Sequence, residues 1–403
     1  MLAALLLNAC GAQSVPLANH LLPGVAERPA AGYKQLYKFE GSNGSSPTQL
    51  TFINDTIYGA TMYGGTSSGG TLFTVSEAGK VSTVYNFTGG SDGGEPGGAL
   101  VPLGKNLYGT AYDGGTGCPN RYGPPGCGVV YALSQSGKVQ TAYTFQGGSK
   151  DGSHPNVGLV AIKGTLYGTT FDGYGSGCNT YGCGTIFSLS ATGKETVIRH
   201  FTSRPAYWPL GLVQVAGKLY GIAQGTPATC DETSCGAVFE ATTTGSEKTL
   251  HQFHGGSDGA GPSSIVALNG ILYGTTASGG NRTCNGGYCG TVFSITTSGS
   301  EQVIYTFGGA KDGGYPTSLF ALGGKLYGTT LEGGGKCDCG TVFTVTPSGT
   351  EETLYAFKGE PDGSTPAGLA EVSSVLYGST MAGGASGSQC LQSGCGTIFR
   401  LTP

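Results

Sequence analysis

A seven-fold internal repeat constrains this chain more than any other feature. The motif LYGTT and its variants recur at intervals from 50 residues (Tyr58 to Tyr108) to 59 residues (Tyr108 to Tyr167). The seven tyrosines are Tyr58, Tyr108, Tyr167, Tyr220, Tyr273, Tyr327 and Tyr377. Each repeat also carries an aromatic residue that ends a GTVF-like run and a phenylalanine that ends an LYxF-like run. A period of this length is typical of β-propellers and other repeat architectures.

Each repeat contains four short apolar runs that predict β-strands. In residues 313–357 they are SLFAL, KLYGTT, GTVFTVT and ETLYAF. These runs are rich in β-branched and aromatic residues and contain no proline, which favours strands. Glycine-containing turns such as LGGK and TPSGTE join the first run to the second and the third to the fourth. Because no segment has a 3.6-residue period, we expect almost no helix.

The two ends of the repeat array predict a closed ring. The last repeat has only three runs and ends in GTIFRLTP, whereas an additional run, YKQLYKF, precedes the first repeat at residues 33–39. This additional strand supplies the outer strand that the last repeat lacks, and such closure leaves no exposed sheet edge. The sequence therefore predicts an all-β fold, a seven-bladed β-propeller of four-stranded antiparallel blades over residues 33–403.

The charge balance excludes one class of partner. The formal net charge is −4 at pH 7 and no basic run is present, so the concentrated positive surface that nucleic-acid binding requires is missing. Hydrophobic residues make up 38% of the chain, enough for a core. Beyond the N-terminus no apolar stretch approaches the ~18 residues that span a bilayer. We expect a monomer that contacts a membrane only through a lipid anchor.

Cysteines lie in pairs between the second and third runs of six repeats. Each pair offers only two of the four ligands that structural zinc requires, and no histidine recurs beside them. A thioredoxin-like redox site would need a C-x-x-C helix in an α/β context. Local disulfides explain the pattern better. The expected pairs are Cys118–Cys127, Cys178–Cys183, Cys230–Cys235, Cys284–Cys289, Cys337–Cys339 and Cys390–Cys395.

This pairing leaves Cys10 over, and the sequence around it predicts lipidation. The run MLAALLLNAC resembles the lipobox of bacterial lipoproteins, in which cleavage precedes a cysteine that then receives lipid. We expect residues 1–9 to be the end of a signal peptide whose start lies upstream. Residues 10–32 would form the lipidated cysteine and a tether. The protein would then be exported, as an outer-membrane or cell-surface lipoprotein facing the periplasm or the exterior.

A recurring Asp-Gly turn offers a candidate metal site. Turns such as SDGGEP and KDGGYP follow the fourth run of five repeats. The aspartates are Asp92, Asp151, Asp258, Asp312 and Asp362. They would either form a ring that binds calcium, or accept backbone hydrogen bonds as ordinary turn residues, and repetition in every blade favours the turn. Apart from calcium, the sequence predicts no cofactor.

Repeat four departs from this pattern and suggests a ligand site. It replaces the Asp-Gly turn with FTSRPAYWP, which contains the sole tryptophan, Trp208. Tyr207, Arg204 and His200 lie close in sequence and would suit stacking on a sugar or binding of an anion. Alternatively, Trp208 fills the space that a shorter turn leaves. For catalysis, the carboxylates Glu95, Asp113, Asp172 and Glu332 are candidates, but the sequence indicates no fixed pair among them.

The motifs LYGTT, GGSDGGxP and GCGTVFxLTPSG in tandem resemble the GloVer tandem-repeat family, whose bacterial surface proteins carry different anchors outside a shared repeat array. The resemblance covers residues 33–403 and implies a surface propeller with an exchangeable anchor, without established catalytic residues. We therefore expect a binding or scaffolding module for glycans or envelope proteins. The alternative is a carbohydrate-active enzyme, a hydrolase or lyase, with its site at the channel mouth.

Overall fold

The computed structural model describes residues 32–116, 118, 126–149, 151–155, 158–173, 182–202, 207–225, 235–280, 283–284, 287–309, 311–386, 390 and 394–403. The predicted signal peptide, lipidation site and tether therefore lie outside the described residues, as do Arg204, Cys178 and Cys230. The described chain forms seven antiparallel sheets of four or five strands in sequence order around a ring, and the predicted seven-bladed β-propeller is confirmed. No described segment is a helix long and apolar enough to cross a membrane.

Each blade is a sheet whose strands follow one another from the channel outwards. Blade 1 comprises β2 (Ser45–Pro47) with β3 (Thr51–Ile53), β4 (Thr56–Tyr63), β5 (Thr71–Val75) and β6 (Val81–Asn86). Blade 2 comprises β7 (Gly94–Leu103), β8 (Asn106–Asp113), β9 (Val129–Ser134) and β10 (Val139–Thr144). Blade 3 comprises β11 (Gly152–Pro155) with β12 (Val160–Ile162), β13 (Thr165–Gly173), β14 (Thr185–Ser190) and β15 (Glu195–His200).

The remaining blades repeat this arrangement. Blade 4 comprises β16 (Pro209–Val215), β17 (Lys218–Ala223), β18 (Ala237–Ala241) and β19 (Glu247–Gln252). Blade 5 comprises β20 (Ala260–Leu268), β21 (Ile271–Ser278), β24 (Thr291–Ile295) and β25 (Glu301–Thr306), with a small ribbon of β22 (Thr283–Cys284) and β23 (Gly287–Tyr288) between its second and third strands. Blade 6 comprises β26 (Gly314–Leu322), β27 (Lys325–Glu332), β28 (Thr341–Val345) and β29 (Glu351–Ala356).

Blade 7 is closed by the N-terminal strand, as the sequence predicts. It consists of β30 (Ser364–Val372), β31 (Val375–Ala382), β32 (Thr397–Thr402) and, outermost, β1 (Gly32–Lys38). The strand β1 pairs antiparallel with β32, so that Tyr33 lies opposite Leu401. The closure therefore joins the two ends of the described chain by backbone hydrogen bonds in one sheet.

The core lies between the blades and is built from two of the sequence markers. The aromatic of each third strand packs against the phenylalanine that follows the outermost strand of the preceding blade, as in Phe307 and Phe343, whose ring centroids are 5.0 Å apart. The other pairs are Phe39–Phe73, Phe87–Tyr131, Phe145–Phe187, Phe201–Phe239, Phe253–Phe293 and Phe357–Phe399. These rings are buried and form hydrophobic contacts between successive blades.

The remaining sequence marker is the Tyr-Gly pair of the second strand, and the packing of the aromatic rings explains its glycine. A Cβ atom on Gly328 would lie 2.4 Å from Cζ of Phe343, and one on Gly378 would lie 2.2 Å from Cζ of Phe399. The glycine therefore leaves room for the aromatic ring of the residue opposite it on the third strand of the same blade. This is a steric requirement, independent of the backbone angles of these glycines.

Disulfides close the loops between second and third strands. The bonds Cys118–Cys127, Cys337–Cys339 and Cys390–Cys395 are present as predicted. Cys183, Cys235 and Cys289 are also disulfide-bonded. Their predicted partners are Cys178 and Cys230, which lie outside the described residues, and Cys284, for which only the backbone is described.

Candidate functional site

A ring of seven residues surrounds the mouth of the central channel. Each blade contributes the residue immediately before the first proline of its innermost strand. All seven have backbone φ angles between 52° and 63°, in the left-handed region, although six are not glycine. They are Ser46, Glu95, His154, Trp208, Gly261, Tyr315 and Thr365. Left-handed φ angles are uncommon for non-glycine residues and occur often at functional sites. We call these residues the mouth ring.

The preceding blade holds each mouth-ring residue in place. The backbone N–H of Trp208 donates to the carbonyl of Cys183 at 2.9 Å, and that of His154 donates to the carbonyl of Cys127 at 2.8 Å. The same bond occurs at all seven positions, and a disulfide cysteine accepts it in every case except Glu95, where Gly69 does. The disulfides therefore anchor the loops that fix the mouth ring, while its side chains differ from blade to blade.

Blades 2 and 3 place a cluster of ionisable side chains at this mouth. Nδ1 of His154 lies 3.1 Å from Oδ2 of Asp172, and its Nε2 lies 4.0 Å from Oδ1 of Asp113. Both aspartates are buried, and Oδ1 of Asp172 has no hydrogen-bond partner among the described residues. The sequence indicated no fixed pair among the candidate carboxylates; the structure places two of them, Asp113 and Asp172, on either side of one imidazole.

Burial changes the acidity of this cluster. Loss of solvent and the nearby Asp113 carboxylate raise the pKa of Glu95 to about 7, while His154 partly opposes this shift. Burial also raises the pKa of Asp113. Loss of solvent, with Glu95 and Asp113 nearby, raises the pKa of Tyr63 to about 12. The cluster therefore contains a carboxyl group that changes protonation near neutral pH.

Aromatic side chains continue the mouth on the side of blade 4. The rings of Phe171 and Trp208 are stacked with centroids 5.2 Å apart and planes 16° from parallel. On the other side, Tyr112 stacks on His154 with centroids 4.7 Å apart. Aromatic side chains from three successive blades thus flank the ionisable cluster. Aromatic surfaces with a few polar groups are the usual lining of small-molecule sites.

The group predicted around Trp208 is divided by the structure. Tyr207 is buried and packs in the core between blades 3 and 4, so it supports Trp208 rather than facing a ligand. His200 ends the outermost strand of blade 3, whereas Trp208 precedes the innermost strand of blade 4. Trp208 and His200 therefore belong to the channel and the rim respectively, and Arg204 lies outside the described residues.

The five turn aspartates lie in separate turns near the rim, and each is hydrogen-bonded to the end of the outermost strand that precedes its turn. Oδ2 of Asp312 accepts hydrogen bonds from the Tyr305 hydroxyl and the Gly308 N–H, both at 2.7 Å. Equivalent carboxylate bonds occur at Asp92 with Tyr85, at Asp151 with Tyr143, at Asp258 with His251 and at Asp362 with Tyr355. This arrangement is the one expected of turn residues. Calcium binding by these residues stays a prediction.

Comparison with known proteins identifies the family. The sequence matches the Gloeobacter/Verrucomicrobia repeat over residues 27–230 and 116–336, which together span most of the chain. The chain belongs to this repeat family. The resemblance to GloVer proteins that the motifs indicated is thereby confirmed. Among curated proteins, none matches the sequence significantly.

Solved structures resemble this member of the repeat family in fold. The computationally designed protein Ika8 has a TM-score of 0.50 and 12% identity, covering 91% of this chain and 99% of its own. Puromycin hydrolase has a TM-score of 0.54 and 11% identity, covering 85% of this chain and 51% of its own. A glucose dehydrogenase from Thermus thermophilus has a TM-score of 0.46 and 13% identity, covering 92% of this chain and 99% of its own. At such identities the likeness to Ika8 and to puromycin hydrolase establishes the fold alone.

Proposed function

We propose that the channel mouth binds a carbohydrate, and that the protein acts as a glycan-binding module of the cell surface. The observation that carries this proposal is the stacked Phe171–Trp208 pair beside the ionisable cluster of blades 2 and 3. Aromatic faces match the apolar faces of sugar rings, and carboxylates accept hydrogen bonds from sugar hydroxyls. Among the described residues, these two groups meet at the mouth between blades 2 and 4.

The polar groups suit an uncharged or cationic sugar better than an acidic one. Glu95, Asp113 and Asp172 bring carboxylates to one side of the mouth, where a ligand carboxylate or sulfate would be repelled. Oδ1 of Asp172 is an acceptor without a partner among the described residues, and a ligand hydroxyl would satisfy it. We therefore expect neutral or amino sugars as ligands.

A second candidate function is acid–base catalysis on such a carbohydrate. The observation that favours it is the pKa of Glu95, which burial and Asp113 raise to about 7. A carboxyl group with this pKa can donate a proton near neutral pH, while a neighbouring carboxylate can act as base or nucleophile. This hydrolase function would use the same mouth, so binding alone does not exclude it.

One titration tests binding and, with a second assay, catalysis. Trp208 is the sole tryptophan, so its fluorescence reports directly on the channel mouth. Neutral and amino oligosaccharides should change this emission saturably, and Asp172→Asn should weaken binding at least about tenfold by removing a charged acceptor. Exposed Asp55→Asn is the matched control and should bind like wild type. If no oligosaccharide changes the emission, carbohydrate binding at this mouth is refuted.

The catalytic candidate is tested by product analysis of the same oligosaccharides. Release of reducing ends by the wild-type chain, lost in Glu95→Gln, would establish the hydrolase. Saturable binding without any product would leave the binding module as the function. The two functions are therefore distinguished by chemistry, not by affinity.

We also propose export and attachment by lipid at Cys10. The disulfides support export, because such bonds form and persist in oxidising compartments. Metabolic labelling with palmitate in a bacterial host tests the anchor. Expressed behind a complete signal peptide that ends at residue 9, the chain should take up label and its Cys10→Ser variant should not; no label on the former, or labelling that survives the substitution, would refute lipidation at Cys10.

A further inference from the structure

The rim of the junction between blades 4 and 5 differs in chemistry from the other junctions. At each junction, one side chain lies near the end of the outermost strand of the first blade. It faces the turn that leads to the second blade and the first residue of the second blade's outermost strand. Tyrosine holds the first of these positions at five junctions: Tyr37, Tyr85, Tyr143, Tyr305 and Tyr355. At the junction of blades 3 and 4 it is Arg199, and at the junction of blades 4 and 5 it is His251. The turn there also contains His254.

These imidazoles converge with two carboxylates. Nε2 of His251 lies 3.0 Å from Oδ1 of Asp258, and Nδ1 of His254 lies 3.3 Å from Oδ2 of the same residue. Glu301, the first residue of the outermost strand of blade 5, completes the group. One ligand atom from each of His251, Asp258 and Glu301 lies within 4.8 Å of the others. Among the described residues, no other three histidine, cysteine or acidic side chains meet this condition.

A comparison with the next junction shows what the histidine changes. At the junction of blades 5 and 6, the Tyr305 hydroxyl donates to Asp312 at 2.7 Å and lies 3.3 Å from Oε2 of Glu351. A single hydroxyl therefore connects both carboxylates. At the junction of blades 4 and 5, Oε1 of Glu301 is buried and has no hydrogen-bond partner among the described residues. An imidazole nitrogen and two oxygens thus face one another without the connecting hydroxyl.

The donor set selects the class of ligand. Neutral imidazole nitrogen together with carboxylate oxygen is a ligand set for Zn²⁺ and similar first-row divalent ions, whereas Ca²⁺ takes oxygen ligands only. Bonds of about 2.0–2.2 Å require ligand atoms somewhat over 3 Å apart, which small rotamer changes would provide here. The side chains of His251 and Asp258 are 19% and 21% exposed, so an ion can enter from solvent and still be partly dehydrated.

We propose that His251, Asp258 and Glu301 bind Zn²⁺ or a similar divalent transition-metal ion at the rim between blades 4 and 5, and that water completes its coordination. Such an ion cross-links the outermost strands of two blades, because His251 belongs to blade 4 and Glu301 to blade 5. This site is separate from the channel mouth, so it stands or falls independently of carbohydrate binding.

Zinc titration of the full chain tests the site. The protein is untagged, freed of metal with a chelator and oxidised, and every sample carries Cys10→Ser, which removes the cysteine left over by the disulfides. Calorimetry with Zn²⁺, and visible absorption with Co²⁺, should show a saturable site. His251→Tyr should weaken binding about 100-fold or more. This variant recreates the tyrosine of five other junctions, so we expect it to fold.

Two glutamine variants form a matched pair. Glu301→Gln should weaken Zn²⁺ binding at least about tenfold, whereas Glu351→Gln, at the equivalent place in the next junction, should leave it unchanged. They also decide the question if His251→Tyr fails to fold. The proposal is overturned if the wild-type chain binds no Zn²⁺, or if binding persists equally in His251→Tyr or Glu301→Gln.

Discussion

In blade 3, Nδ1 of His154 lies 3.1 Å from Oδ2 of Asp172. The same imidazole is 4.0 Å from Asp113 of blade 2, so one side chain joins carboxylates from two blades. The repeat fold makes this contact, because Asp113 and Asp172 each lie five residues after a repeat tyrosine, Tyr108 and Tyr167. Equivalent positions in successive blades are neighbours around the channel.

The first prediction concerns pH and Glu95. Its pKa of about 7 in the native protein is above the ordinary value of 4.5. Between these pH values the native state binds more protons than the unfolded state, so the free energy of unfolding falls as pH rises. Glu95→Gln should abolish this contribution. Its free energy of unfolding, relative to that of wild type, should therefore rise by about 2–3 kcal/mol between pH 4 and pH 8. Urea unfolding at both pH values measures it; a difference between the proteins that does not change with pH would contradict the account.

The second prediction concerns the glycine beneath Trp208. A Cβ atom on Gly184, where φ is +86°, would lie 2.4 Å from the Thr170 carbonyl oxygen and 2.6 Å from Cδ of Pro209. Gly184→Ala should therefore cost about 3 kcal/mol and shift the fluorescence of Trp208. Gly164→Ala is the control, because φ is +82° there but no atom lies within 4 Å. Urea unfolding should show the control losing only about 1 kcal/mol; equal losses would contradict the steric explanation.

The third prediction concerns ring closure. Phe39 is fully buried and packs on Phe73, so that the segment after β1 fills the junction between blades 7 and 1. Phe39→Ala should lower the free energy of unfolding by about 3–5 kcal/mol, as for other buried aromatics. Exposed Lys38→Ala is the control and should change it by less than about 0.5 kcal/mol. A small effect of Phe39→Ala on chemical unfolding would mean that closure contributes little to stability.

The fourth prediction separates the two interpretations of the turn aspartates. Oδ2 of Asp312 accepts two short hydrogen bonds within its own junction. If it is a turn residue, Asp312→Asn should lower stability by about 1–3 kcal/mol equally with calcium and with a calcium chelator. Thermal unfolding in both conditions measures this. A wild-type melting temperature that rises with calcium, and an Asp312→Asn variant that lacks this rise, would instead establish a calcium site.

Most of the fold could be predicted from sequence, because the core residues are also the repeat markers. Every repeat has counterparts of Phe307 and Phe343, and an equivalent pair of rings packs at every junction. The additional run at residues 33–39 could be assigned to blade 7 because only that repeat lacked a fourth strand. Because the pattern repeats, it predicts the contacts between blades as well as the strands within each blade.

The candidate site was harder to predict, since repetition directed attention to what the blades share. The mouth ring occupies the variable residue before a recurring proline, as in SHP at His154 and YWP at Trp208. Its left-handed backbone depends on a hydrogen bond from the preceding blade, a tertiary contact that local propensity does not encode. A comparison of the repeats position by position, asking where they differ, would have revealed both His154 and the paired aspartates.

A glycan array tests whether the channel mouth binds carbohydrate beside Trp208. The full chain is compared with Trp208→Ala and with Thr365→Ala, a mouth-ring variant on blade 7. We expect binding to neutral or amino glycans that is lost in Trp208→Ala and kept in Thr365→Ala. Binding that survives in Trp208→Ala, or no binding by the wild-type chain, would contradict this expectation.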